Sequence, residues 1–111
     1  MELTDIREAV EKKYVSLPIE FQDEAGDEHV LELRNVLRME DAEQETIDKL
    51  MQKFDGLKKA SEARLVFIDL LEALSGDPEG TRLFVDTINN DLAVMMYIVT
   101  EYTKVTQAEK A

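Results

Sequence analysis

Leu17-Pro18-Ile19-Glu20-Phe21, followed after a short gap by His29-Val30-Leu31-Glu32-Leu33, decides the fold class. Leu17, Ile19 and Phe21 alternate with other residues, as do His29, Leu31 and Leu33, which is the period of a strand with one buried face. Between them Gln22-Asp23-Glu24-Ala25-Gly26-Asp27 is rich in turn formers, so the stretch reads as a β-hairpin. Pro18 has no N–H to give a second neighbour, and its strand is expected at an edge.

On either side of the hairpin the apolar period becomes helical. Upstream, Thr4 can cap a helix with Asp5 in its first turn, and Ile6, Val10 and Tyr14 share one face, giving a short amphipathic helix from about Asp5 to Lys13. Downstream of Met39, the residues Ala42, Ile47, Leu50, Met51, Phe54 and Leu57 form a helical stripe that Gly56 interrupts or ends. Glu62 to Leu74, with Leu65-Val66-Phe67-Ile68 and Leu70-Leu71, is apolar around most of its circumference and should be buried on more than one side.

Ser75-Gly76-Asp77-Pro78-Glu79-Gly80 is the clearest break. Gly76 suits a left-handed C-terminal cap, and Asp77, Pro78 and Glu79 suit a cap, a first helical position and an acidic first turn. A short helix carrying Leu83, Phe84, Val85 and Ile88 follows. Asn89-Asn90-Asp91 then ends it and caps a last helix from Leu92 to about Thr106. The expected architecture is α+β and predominantly α-helical: an N-terminal helix, a β-hairpin, then about four helices in a compact bundle. It spans a single domain over residues 1–106 with a frayed tail over residues 107–111.

With 111 residues and 44% apolar side chains, the chain can bury a modest core, removing roughly two thirds of its unfolded surface from water. Its 25 acidic and 13 basic side chains give a formal charge of −12, spread over nearly every segment. That sign argues against binding nucleic acid, whose affinity comes from cations displacing counterions, and against anionic membranes. No apolar run approaches the ~20 residues that cross a bilayer, and the first residues are acidic where a secretory signal would be basic then apolar. The absence of cysteine removes disulfides, thiolate metal sites and cysteine nucleophiles.

No catalytic constellation emerges. His29, the one histidine, has no nucleophile or orienting carboxylate supplied by a local motif, and is read as structural or solvated. The acids of Asp23 to Asp27 are out of register with a calcium loop. Gly76 and Gly80 are not followed by Gly-Lys-Ser or Gly-Lys-Thr, and Asp77 and Glu79 would repel phosphate. No catalytic, cofactor or metal residue is therefore expected, and the protein is read as a non-enzyme.

The last helix carries more apolar surface than one contact needs. Leu92, Met95, Val99 and Tyr102 form one stripe, Val94, Ile98 and Val105 a second, and Met96 widens the arc. Either the helix is central in the core, or one stripe packs at home while the other meets a partner. On the second reading, the interaction surface and self-association site consist of Leu92, Met95, Met96, Val99 and Tyr102, supported by Phe84 and Ile88.

Three segments carry a family resemblance. They are the first helix ending Glu11-Lys12-Lys13-Tyr14, the second strand and its exit Val30-Leu31-Glu32-Leu33-Arg34-Asn35-Val36-Leu37-Arg38, and the ending Asp91-Leu92-Ala93-Val94-Met95-Met96 with Glu101-Tyr102-Thr103-Lys104-Val105-Thr106-Gln107. Together they resemble the tail assembly chaperones of long-tailed phages with non-contractile, siphovirus-type tails, especially those infecting actinobacteria. The resemblance covers most of the chain. The middle helices match in character only.

The resemblance implies a protein made in the host cell cytoplasm during virion assembly and absent from the mature virion. Such a protein holds the tape measure protein and helps recruit tail tube protein subunits. It also implies homo-oligomers and a longer product of the same gene made by ribosomal frameshifting, this chain being the short form. No cofactor, nucleic-acid or membrane partner is implied. Arg34 and Asn35 are read as groups that satisfy backbone carbonyls and form a turn. The competing reading is an acidic DNA mimic that inhibits a nucleic-acid-binding partner, which requires carboxylates gathered on one exposed face. Here the acids alternate with apolar positions along each segment, as solvated helix faces do.

Overall fold

The protein was analysed as a computed structural model that describes residues 1–56 and 58–107. Among these the element order is α1 (Leu3–Lys13), β1 (Leu17–Gln22), β2 (Glu28–Leu33), a 3-10 turn (Val36–Arg38), α2 (Asp41–Asp55), α3 (Ala60–Ser75), α4 (Pro78–Thr87) and α5 (Leu92–Gln107). The α+β, mainly helical architecture is the expected one. Leu57 of the expected stripe and residues 108–111 of the expected tail lie outside the described residues, while Gln107 ends α5.

β1 and β2 pair antiparallel, with Leu17 opposite Leu33, Ile19 opposite Leu31 and Phe21 opposite His29. The alternating side chains therefore share one face, and Leu31 and Leu33 are buried on it. The described sheet has two strands, so Pro18 lies on an edge as its missing N–H requires. At the tip, Gly26 takes the left-handed conformation with φ 86°, and the Asp27 N–H donates to the Asp23 carboxylate at 2.9 Å.

α3 is the central element: α2, α4, α5 and β2 all pack against it. Val66, Phe67, Leu70, Leu71 and Leu74 are buried, an arc too wide for a surface helix and expected of one enclosed on several sides. Each such side chain contributes about 1.5–3 kcal/mol of transfer free energy. Phe84 joins the same core from α4, meeting Phe21 edge-on with ring centroids 5.2 Å apart.

The break after α3 follows its sequence closely. Gly76 sits at φ 65° as the left-handed cap, and its N–H donates to the Glu72 carbonyl at 2.8 Å. Asp77 accepts the Gly80 N–H at 2.9 Å with Pro78 opening α4. Asn89 and Asn90 both adopt φ 55°, reversing the chain, and Asp91 then accepts the Ala93 N–H at 2.9 Å. Here asparagine supplies the positive φ that glycine usually supplies.

Candidate protein-interaction surface

Arg34 leaves β2 and turns back over the C-terminus of α3. Its Nε donates to the Leu74 carbonyl at 2.9 Å, and its Nη2 donates to the Ala73 carbonyl at 2.9 Å and to the Glu43 carboxylate at 3.0 Å. Those carbonyls belong to the last turn of a helix and have no intrahelical donor, so a cation there completes their hydrogen bonding and meets the negative end of the helix dipole. The Tyr102 hydroxyl donates to the Arg34 backbone carbonyl at 2.9 Å. Asn35, buried, donates from Nδ2 to the Val15 carbonyl at 3.1 Å and accepts the Leu37 N–H at 3.0 Å. Both residues thus satisfy backbone groups, as read from the sequence.

At the hairpin tip His29 stacks on Phe21, with ring centroids 5.3 Å apart, and its Nε2 lies 2.8 Å from the Asp23 carboxylate. The hydrogen bond to His29, and the one from the Asp27 backbone, hold the Asp23 carboxyl below its usual pKa. Asp23 is thus a carboxylate partner that the sequence reading did not give His29, while no hydroxyl nucleophile is hydrogen-bonded to the pair among the described residues. Among the described residues no group of three histidine, aspartate or glutamate side chains is placed to hold a metal ion.

The seven residues expected to form an interaction surface separate into three groups. Phe84, Met95 and Tyr102 are core residues; Met95 is fully enclosed. This corrects the expectation for those three, because a partner could reach them only by opening the core. Ile88, Leu92 and Val99 are half-buried against the same core. Met96 alone of the seven is exposed, at 47%. The buried line of α5 runs through Met95, Ile98, Tyr102 and Thr106, between the two stripes read from the sequence, so most of the wide arc is used at home. What remains outside is Met96 with Tyr97, which is 67% exposed and was missed. Its signal was present: Tyr97 lies outside both stripes in an otherwise apolar run.

A second apolar surface lies on α1, which buries none of its residues. Leu3 and Ile6 are exposed, Val10 and Tyr14 half-exposed, and Lys13 flanks them with its ammonium 5.8 Å from the Tyr14 ring centroid. The chain leaving α1 is anchored through the Asn35 bond to Val15, but the helix beyond that anchor joins none of the close element pairings among the described residues. The sequence identified this helix as amphipathic without showing that the face is left uncovered.

Two concavities accompany these surfaces. A cleft of about 740 Å³ opens between Tyr14, Pro18, Arg34, Arg38 and Glu40, beside the end of α1. A groove of about 440 Å³ runs between the 3-10 turn, α2 and α5, floored by Val36, Met51 and Val99 and edged by Leu37, Asp48 and Asp55. The cleft beside α1 is lined mostly by charged and polar side chains, whereas the apolar floor and charged edge of the α2–α5 groove suit the side chains of another helix.

No protein-family model, curated protein or solved structure matches this chain.

Proposed function

We propose that this chain is a phage tail assembly chaperone that binds the tape measure protein and promotes tail tube assembly in the host cytoplasm, without entering the mature virion. The observation that carries this reading is apolar side chain left outside an otherwise filled core, at Leu3 and Ile6 of α1 and at Met96 and Tyr97 of α5. A tape measure protein is a long helix-rich chain whose unassembled apolar faces need cover. Exposed methionine and tyrosine on a rigid helix can provide such cover, because methionine adapts its shape and tyrosine offers a large face at small entropic cost. The net charge of −12 keeps the complex soluble while those faces are engaged.

The resemblance of the Leu33-Arg34-Asn35 exit and of the Asp91 to Gln107 ending supports the same reading. Co-expression with the tail proteins encoded beside it, followed by size exclusion with light scattering, tests it. A defined complex with the tape measure chain is expected. A chain that ignores tail proteins and instead binds a DNA-binding protein, in competition with duplex DNA and weakening steeply with salt, would replace this reading with the acidic mimic.

A further inference from the structure

The turn of the hairpin sets the phase of its hydrogen bonds. The Asp23 N–H donates to the Asp27 carbonyl at 3.0 Å, and these two residues continue the register that pairs Gln22 with Glu28. Bonded and non-bonded pairs alternate along an antiparallel ladder, so Phe21–His29, Ile19–Leu31 and Leu17–Leu33 are the bonded pairs. The N–H and carbonyl groups of Glu28, Val30 and Glu32 therefore point away from β1. Arg34, next in that series, shows the direction: its N–H donates to the Leu74 carbonyl of α3 at 3.1 Å.

The two edges of the hairpin differ. On β1 the outward groups belong to Pro18, Glu20 and Gln22, and Pro18 has no N–H to offer, so that edge is interrupted. The β2 edge contains no proline. Among the described residues no backbone partner beyond the hairpin takes up the outward groups of Glu28, Val30 or Glu32. All three residues are exposed, Val30 at 59%.

The side chains beside this edge select what can pair with it. Glu28, Val30 and Glu32 share the outer face of the sheet, with Glu20 across from Val30. None of the three glutamates belongs to an ion pair among the described residues. A second copy of β2 added antiparallel about Val30 would set Glu28 against Glu32 twice, and like charges directly opposite are unfavourable. The edge is thereby guarded against its own kind. A strand with cations at those two positions and a β-branched residue between them meets each glutamate with an opposite charge and Val30 with an apolar side chain.

We propose that the β2 edge accepts an extended segment of another protein as an added antiparallel strand, a segment carrying lysine or arginine at the spacing of Glu28 and Glu32 with a β-branched residue midway. Main-chain bonds to the three outward residues supply the attachment, and the two glutamates supply the choice of partner. The site lies on other elements than Met96, Tyr97 and the α1 face, and it does not rest on the chaperone reading.

Titration of the isotope-labelled full chain with the acetylated and amidated peptide Thr-Lys-Thr-Val-Thr-Lys-Thr, followed by amide NMR shifts, tests it. Shifts should centre on Glu28, Val30 and Glu32, whose amide exchange should slow. Replacing both lysines of the peptide with glutamate should weaken binding by at least about tenfold, and Glu28→Lys/Glu32→Lys should reverse that preference while circular dichroism shows the variant folded. N-methylation of the peptide valine, whose N–H must face Val30, should abolish binding. N-methylation of the threonine after it, whose N–H faces away, should leave binding intact. The inference is overturned by unmoved amides at millimolar peptide, by shifts centred elsewhere, or by a valine-methylated peptide that binds as the parent does, which would reduce the contact to charge attraction alone.

Discussion

The Tyr102 hydroxyl donates a 2.9 Å hydrogen bond to the backbone carbonyl of Arg34, tying α5 to the exit of the hairpin. The Arg34 side chain meanwhile holds the end of α3 through the Ala73 and Leu74 carbonyls. One residue thus joins the sheet, the central helix and the last helix. Tyr102→Phe removes the donor while keeping the ring and should cost about 1–2 kcal/mol, lowering Tm by about 4–8 °C in a thermal melt. An unchanged melt would show that water replaces the bond at no cost.

Burial raises the Tyr102 phenol above its ordinary pKa near 10, against smaller opposing effects of the Val36 backbone and the Arg34 charge. A group whose folded pKa is raised contributes stability that is complete below the unfolded value and lost as pH climbs through the folded one. Stability should therefore decline above about pH 10, and Tyr102→Phe should reduce that decline. Denaturant unfolding at alkaline pH measures both.

Asp23 has the opposite sign. The hydrogen bonds from His29 and from the Asp27 N–H lower its pKa, so its contribution is present above the ordinary carboxylate range and disappears as pH falls through the folded value. Carbon-detected NMR titration should place the Asp23 midpoint below that of an ordinary aspartate, and His29→Ala should move it upward. A midpoint indifferent to His29 would mean that the ring and carboxylate do not interact in solution.

Gly76→Ala confronts two obstacles. The residue must keep φ 65°, and the new Cβ would lie 3.2 Å from Nη2 of Arg34. A loss of about 1–2 kcal/mol is expected from the left-handed strain and the displaced guanidinium together. Combining it with Arg34→Ala should cost less than the sum of the two single changes, which a double-mutant cycle in denaturant will reveal.

Met95 and Met96 are neighbours with opposite fates. Met95 is enclosed in the core, so Met95→Glu should cost about 4 kcal/mol or more and unfold much of the protein. Met96→Glu, on the exposed side, should melt within about 1 kcal/mol of wild type. Circular dichroism melts of the two variants separate the cases.

How much of this was legible in the sequence depended on whether the signal was local. The Leu17 and Leu31 alternation, the Gly76 cap and the Asp77-Pro78 helix start each depend on neighbouring residues, and each forms as expected. The turn at Val36–Arg38 was read only as part of the strand exit, because a three-residue 3-10 segment has no period of its own. Arg34 was assigned to backbone carbonyls, but that these lie 39 and 40 residues away could not be read from a local pattern.

The same limit explains α1 and α5. Both helices carry apolar faces, and periodicity measures the width of a face without saying what covers it. α5 had the broader face and was expected to hold the partner surface, yet α3 and the hairpin exit cover most of it. The narrower face of α1 is the one left open.

The most direct test of the account is the amount of tape measure protein that stays soluble when produced with and without this chain, measured from the supernatant of matched cultures. The account predicts a large rise in soluble tape measure protein with wild type, sharply reduced by Met96→Glu combined with Tyr97→Glu, while the variant itself stays folded. Tape measure protein equally insoluble in both cultures would contradict the chaperone function, and full rescue by the double variant would remove Met96 and Tyr97 from its binding surface.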